Sequence, residues 1–283
     1  MLKQRVITAV ILLAILLPAL FSSNTLPFSA IVLLMVTAGA WEWGRLNGLG
    51  RWGAWATGLV ALLSGLATWY AGALEQPHPM LWVCTGAAWV LGSAALIKVG
   101  VAGWAKIALP VRWLAGLLAL WAAGVAMVQA RQMGVNFLLS ILALVWVADI
   151  FAYFAGRAFG LRWTKVKLAP TISPGKSWEG AWGGAAGVVV LAVLWVWLDA
   201  AQSVSVPSLY THIYQQGWWM LLLAALFMAA MSVVGDLVES LIKRSAGFKD
   251  SSQLLPGHGG VLDRIDALLP TLPLAMMLTS LVQ

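Results

Sequence analysis

Cysteine and charge are both scarce in this chain. Its 283 residues include a single cysteine, Cys84, and only 10% are Asp, Glu, Lys or Arg, against 61% apolar residues. One thiol excludes an internal disulfide and a zinc site built on several thiolates; Cys84 lies in an apolar run and reads as a small core residue. Soluble domains carry about 25% charged and about 45–50% apolar residues, so the charge deficit excludes a soluble globular domain. Disordered chain, coiled coil and a solenoid of polar repeats fall with it. The apolar excess, a mean hydropathy of +0.89, runs the whole length, so lipid must cover most of the outer surface. The alternation that marks an outer-membrane barrel is missing, because runs such as VITAVILLAILLPALF are apolar on every face. The fold class is therefore all-α, a polytopic helical membrane protein.

A bilayer crossing takes about 20 apolar residues. Nine stretches qualify, near residues 5–21, 27–42, 53–73, 80–98, 112–130, 136–156, 180–198, 217–239 and 267–282. The first, preceded by Lys3 and Arg5, reads as an uncleaved anchor. The chain divides into 1–135, with helices one to five, and 136–283, with helices six to nine and two long polar connections. If the N-terminus is cytoplasmic, Lys3, Arg5, Arg45, Arg51, Lys98, Lys106, Arg112, Arg157, Arg162, Lys165, Lys167, Lys176, Lys243, Arg244, Lys249 and Arg264 all lie inside. Only Arg131 lies outside, and sixteen of seventeen on one side is what the positive-inside rule requires. The formal charge of +7 is then topological, and nucleic acid drops out as a partner. His78 and His212 fall in short outer connections without a second ligand nearby. The tryptophans near span ends, such as Trp41, Trp43, Trp52, Trp55, Trp218 and Trp219, read as interfacial anchors.

The two long inner connections carry most of the acids: Asp149, Glu179, Asp236, Glu239, Asp250, Asp263 and Asp266, seven of ten. Asp236 stands near the inner end of an apolar span, where an ionised carboxylate costs up to about 2.5–3.5 kcal/mol and calls for a partner. Asp236, Ser240 and Lys243, spaced i, i+4 and i+7, share one helix face. Downstream, Pro256, Gly257, Gly259 and Gly260 break the helix and let backbone approach a ligand. Asp263 and Asp266 follow at i, i+3. Three carboxylates, Asp236, Asp263 and Asp266, flanked by Lys243, Arg244, Lys249 and Arg264, suit Mg²⁺ held with substrate phosphate, the cations clamping the remaining oxygens. His258 reads as a turn residue or phosphate donor rather than a metal ligand. In the other connection, Asp149 lies deep in a span and is a functional candidate. KLAPTISPGKSWEG then presents Ser173, Lys176 and Glu179 in a polar loop. Its GKS is not a phosphate-binding P-loop, because Pro170 stands where the first glycine is required and no strand precedes it. Ser173, Lys176 and the N-terminus of the next span can still donate to an anion.

Residues 240–266, SLIKRSAGFKDSSQLLPGHGGVLDRID, resemble the signature of the phosphatidate cytidylyltransferase (CDP-diacylglycerol synthase) family. That pattern is S-x-x-K-R-x₄-K-D, an aliphatic residue and Pro, then x-H-G-G-x-x-D-R-x-D, and every fixed position is filled. DIFAYFAGRAFG with KLAPTISPGKSWEG, the LKQRVITA start and the WEW at Trp41 resemble the same family. One departure is Gly175, where members commonly carry a second lysine. The resemblance implies Mg²⁺-dependent transfer from CTP to phosphatidic acid at the cytoplasmic face of a bacterial inner membrane. It implies Asp236, Asp263 and Asp266 as metal ligands and Lys243 as catalytic. Asp149, Ser173, Lys176, Glu179, Ser240, Arg244, Lys249, His258 and Arg264 would bind substrate. It also allows a second cation and a homodimer. A CDP-alcohol phosphotransferase is disfavoured because its D-G-x₂-A-R motif is absent and Asp263 and Asp266 are too close in sequence. An ion-coupled carrier, suggested by Asp149 and Asp236 within spans, is weakened by the lack of an internal repeat.

Overall fold

Apolar segments of this length can satisfy their backbone in lipid only as helices, and each expected stretch is helical in the computed structural model, which describes residues 2–282. The order is α1 (Leu2–Phe21), α2 (Leu26–Leu46), α3 (Gly50–Tyr70), α4 (Pro79–Trp104), α5 (Leu109–Met133), α6 (Val135–Phe159), β1 (Lys167–Ala169), β2 (Ser173–Ser177), α7 (Trp178–Gln202), α8 (Leu209–Tyr214), α9 (Trp218–Ser245), α10 (Leu262–Ile265) and α11 (Leu268–Val282). Prolines open α2, α4 and α5, where a missing N–H costs nothing. Ser177 caps α7 by accepting from Gly180 N at 3.1 Å. Among the described residues, eight helices are long and apolar enough to cross a membrane, counting 262–282 as one. The expected third crossing, α3, has the length, 21 residues, but its Arg, Trp, Thr, Ser and Gly content leaves it less apolar than those eight.

Two features depart from the polar loops expected at the sequence level. Residues 167–177 form an antiparallel hairpin with Lys167 opposite Ser177 and Ala169 opposite Ser173, and the outer connection after α7 contains the short helix α8, capped by Ser208 through Thr211 N.

The most enclosed spans are α9 and 262–282, each 56% buried over its most apolar window, and the least enclosed is α1, at 11%. The halves 1–135 and 136–283 share one interior, since α11 lies against α4 and α5, and α9 against α4. An apolar cluster joins Trp43 of α2 and Leu120 of α5 to Leu241 of α9 and Leu262 and Ile265 of α10. Helices α6 and α7 meet through small residues. A Cβ on Gly184 would lie 2.8 Å from Ala148 O, and one on Gly180 3.0 Å from Ala152 O, the close approach that membrane helices use where lipid offers no hydrophobic drive. Arg131, the one base expected outside, is buried and donates to Leu20 O at 2.7 Å and Ser22 O at 2.6 Å. It closes the C-terminal end of α1, where free carbonyls favour a cation.

Candidate active site

Helix α9 runs unbroken through Ser245, so Asp236, Ser240 and Lys243 do share a face. Ser240 Oγ donates to Asp236 Oδ1 at 3.1 Å. The other oxygen, Oδ2, lies 2.5 Å from Lys176 Nζ on β2. The hairpin therefore delivers Lys176 to the carboxylate, as the pairing of β2 with β1 fixes its strand. One turn on, Lys243 Nζ sits 2.5 Å from Glu239 Oε2 and 2.6 Å from Asp263 Oδ1, with side-chain exposures of 12%, 6% and 7%. One enclosed ammonium thus faces two enclosed carboxylates.

Asp263 is engaged at both oxygens. Its Oδ2 accepts from Ser251 N at 2.9 Å, Gly260 N at 2.8 Å and Ser251 Oγ at 2.9 Å. Asp266 stands where α10 gives way to α11, accepting from Ala267 N at 2.7 Å, and faces Asp236 and Asp149 electrostatically. Gly235 makes this approach possible, because a Cβ there would be 2.5 Å from Asp266 O and 2.9 Å from Pro270 Cγ. Asp149 is exposed on α6, beside Asp236 and Lys176. Of the three carboxylates expected to hold metal, Asp236 and Asp266 are brought into each other's field, while Asp263 serves Lys243 and the loop. Among the described residues no three His, Cys, Asp or Glu side chains stand as a ready metal-ligand group.

Other expected site residues frame this cluster. Glu179 is buried and its Oε1 accepts from Trp163 N at 3.1 Å, Thr164 N at 2.7 Å and Thr164 Oγ1 at 2.9 Å, so this oxygen holds the connection after α6. Ser173 is half-buried opposite Ala169. Lys167 donates to Pro174 O across the hairpin. In the PGHGG turn, Leu255 bridges Gly259 and His258 N donates to Leu255 O at 2.8 Å. Gly257 and Gly259 have φ of +77° and +83°, where a side chain would be strained. His258 O accepts from Arg264 Nε at 2.9 Å, so His258 is a turn residue braced by Arg264. Arg244 and Lys249 are exposed at the rim.

Four residues given no site role from sequence belong to the assembly: Glu42, Gly235, Glu239 and Ser251. Glu239 carried a usable signal, its i, i+4 spacing to Lys243. Glu42 of α2 had only its charge within an apolar span. It is fully buried and accepts four hydrogen bonds from residues 251–262.

Comparison with known proteins adds an independent line. The chain is 38% identical to a phosphatidate cytidylyltransferase of Pseudomonas aeruginosa, over 96% of this chain and 95% of that one. It is 36% identical to that of Haemophilus influenzae, over 96% of each, and 36% identical to that of Brucella suis, over 77% and 83%. The profile of the cytidylyltransferase family matches residues 3–282. That match takes in Glu42 on α2, Lys176 on the hairpin and every carboxylate of the cluster, so the chain that builds this site belongs, over nearly its whole length, to the cytidylyltransferase family.

Proposed function

We propose that this chain is a phosphatidate cytidylyltransferase, converting CTP and phosphatidate to CDP-diacylglycerol and pyrophosphate. The observation that carries the reading is the convergence of Lys176 and Lys243 with carboxylates of α6, α9 and the α10–α11 junction, in a bundle matching the family from end to end.

The chemistry asks little acid–base work of the protein. A phosphate monoester has a second pKa of about 6, so the phosphatidate oxygen is largely unprotonated and nucleophilic near neutral pH. It attacks the α-phosphorus of CTP as the bond to the bridging oxygen of the β-phosphate breaks, and pyrophosphate leaves with that electron pair. The protein must hold two polyanions in line and neutralise them. Lys243 is fixed by its two carboxylates and presents a cation at a set place. Lys176 is held at Asp236, beside Ser240, for the same purpose. Ser173 supplies a further donor, and Arg244 and Lys249 lie at the rim for outer phosphates. Glu179, His258 and Arg264 shape the walls.

The carboxylates of Asp236 and Asp266, hard oxygen donors that interact electrostatically with each other and with Asp149, are the groups that would hold Mg²⁺. Bound there, it would screen the phosphates and take up the charge of departing pyrophosphate. The N-terminus and site are proposed to face the cytoplasm of a bacterial inner membrane. The one-sided distribution of Lys and Arg supports that orientation, as does the place of Arg131 at the opposite end of the bundle.

Pyrophosphate release by purified protein with CTP, phosphatidate and Mg²⁺ tests the reading, run beside Asp263→Asn and with ATP replacing CTP. Release should require CTP and fall sharply in the variant; folded, lipid-supplied protein that releases none would overturn the assignment.

A further inference from the structure

The geometry points to Glu42, on α2, as a positioning residue for nucleotidyl transfer: its buried carboxylate holds the loop that sets Asp263, and through Asp263 it sets Lys243. This rests on the reaction proposed above.

A carboxylate with no exposed surface is expensive unless its oxygens are fully satisfied. Glu42 has 0% exposure. Its Oε1 accepts from Ser252 Oγ at 2.5 Å and Val261 N at 2.9 Å, and its Oε2 from Ser251 Oγ at 3.0 Å and Leu262 N at 2.7 Å. All four donors belong to one segment, and they grip it at both ends. Two of them are the first N–H groups of α10, which a helix leaves without partners. A cap side chain would ordinarily sit at the first position, but Val261 there has no acceptor. Glu42 supplies the cap from more than 200 residues away, and the turn it caps carries Asp263.

Two further contacts tie the grip to the reacting groups. Ser251 Oγ lies 3.0 Å from Glu42 Oε2 and 2.9 Å from Asp263 Oδ2. It has a single proton for two carboxylates, so moving either one re-aims the hydroxyl toward the other. Gly260, whose N–H donates to Asp263 Oδ2, presses its backbone on the same group. A Cβ there would be 2.0 Å from Ser251 Oγ and 2.4 Å from Glu42 Oε1. The carboxylate is itself held rigidly, since the next residue, Trp43, is buried and donates its indole N–H to Trp113 O at 3.0 Å. The line α2, Glu42, loop 251–262, Asp263, Lys243 thus runs without a gap from the N-terminal helices to the cation that meets phosphate.

The test is Glu42→Gln, which keeps the shape but turns one acceptor into a donor facing a backbone N–H, that of Val261 or of Leu262. Its comparator is Asp199→Asn. Asp199 is a buried carboxylate at the far end of the bundle with a similar bond set, from Asn136 Nδ2 at 2.9 Å, Ser208 N at 2.9 Å and Thr211 Oγ1 at 2.6 Å. Per folded molecule, Glu42→Gln should lower kcat about ten- to a hundredfold, the range for displacement of catalytic groups by up to about 1 Å. Its KM for CTP and phosphatidate should stay within about threefold, marking loss of transition-state rather than ground-state binding. Asp199→Asn should lower the melting temperature while leaving kcat alone. Unchanged kcat in Glu42→Gln, or equal losses in both variants, overturns the proposal. Should Glu42→Gln not fold, Ser251→Ala removes only the shared hydroxyl. A kcat loss at constant KM there supports the linkage, and an unaltered kcat refutes it. Hydrogen exchange keeps the two readings separable. If wild-type protein released no pyrophosphate, the enzyme assignment would fail. Faster exchange in Glu42→Gln confined to 251–266 would still establish the grip on the loop, and unchanged exchange there would refute it.

Discussion

Lys243 is the residue whose removal has the most calculable consequence. Its Nζ lies 2.5 Å from Glu239 and 2.6 Å from Asp263, and exposures of 12%, 6% and 7% leave the group little water. Lys243→Met keeps the apolar stem and deletes the charge, stranding two enclosed carboxylates beside each other. Breaking a buried pair by removing one partner costs about 3–5 kcal/mol. At about 2–4 °C per kcal/mol for chains approaching this size, the melting temperature should fall by roughly 6–20 °C. Adding Glu239→Gln removes one stranded charge, and Asp263 Oδ2 keeps its three donors from Ser251 and Gly260. The double variant should therefore regain at least about half of the lost stability, because residues sharing one partner are not additive. Turnover should not return, since no cation remains at that place. Thermal unfolding in one detergent and pyrophosphate release, measured on the same preparations, separate the two effects. A Lys243→Met protein melting within about 1 °C of wild type, far below the shift calculated, would refute the buried-pair argument. Restored turnover in the double variant would refute the role of the cation.

Gly175 tests the departure from the family pattern. Its Cβ position has nothing within 4 Å among the described residues, so Gly175→Lys should leave the melting temperature unchanged. The added exposed cation beside Lys176 should lower KM for CTP by at most about fivefold, an effect of about 1 kcal/mol that high salt removes. Gly235→Ala should do the reverse, since its Cβ would stand 2.5 Å from Asp266 O. Overpacking of about 1–3 kcal/mol would come with a loss of kcat larger than the loss of stability, as Asp236 and Asp266 are pushed apart. Gly92→Ala on α4, with nothing within 4 Å of its Cβ among the described residues, is the neutral comparison, and equal kcat losses at the two glycines would refute the argument.

Long-range pairing is what the sequence could not express. The apolar runs marked the helices, because in lipid the backbone has no other way to satisfy itself, but not all of their ends: 136–156 became Val135–Phe159, while 80–98 became Pro79–Trp104 and 217–239 became Trp218–Ser245. The face shared by Asp236, Ser240 and Lys243 was legible for the same reason, since helical period fixes it once α9 continues past the apolar run. Asp263 and Asp266 keep to one side as their i, i+3 spacing implied, since Asp266 retains helical φ and ψ at the end of α10 and both interact with Glu239 and Lys243. What periodicity did not carry is the partner of each oxygen: Asp263 Oδ1 pairs with Lys243 while its Oδ2 takes the loop. The hairpin at 167–177 was hidden because its strands, of three and five residues, are too short for alternation to register. Glu42 was the hardest to see. A lone acid in WEW reveals neither that it is buried nor that its four donors lie beyond residue 250.

The charge balance of the finished site argues for the cation that the proposal places there. Asp149, Asp236, Glu239, Asp263 and Asp266 bring five carboxylates to the cluster, and Lys176 and Lys243 bring two ammonium groups, each already against an acid. With all five ionised, a triphosphate and a phosphate monoester approaching such a site would meet net negative charge at short range, where partial burial weakens screening. Lys176 and Lys243, each already against a carboxylate, offset only part of that charge. A divalent ion held by Asp236 and Asp266 would cut that excess from three negative charges to one, so CTP binding itself, and not only turnover, should require it. Calorimetric titration of CTP into chelator-treated protein should show no binding, and Mg²⁺ should restore it. Asp266→Asn should weaken the restoration while leaving the Lys243–Asp263 contact intact. CTP binding of equal strength with and without the divalent ion would mean that the exposed cations Arg244 and Lys249 carry the nucleotide, and that the acidic cluster acts only after it has bound.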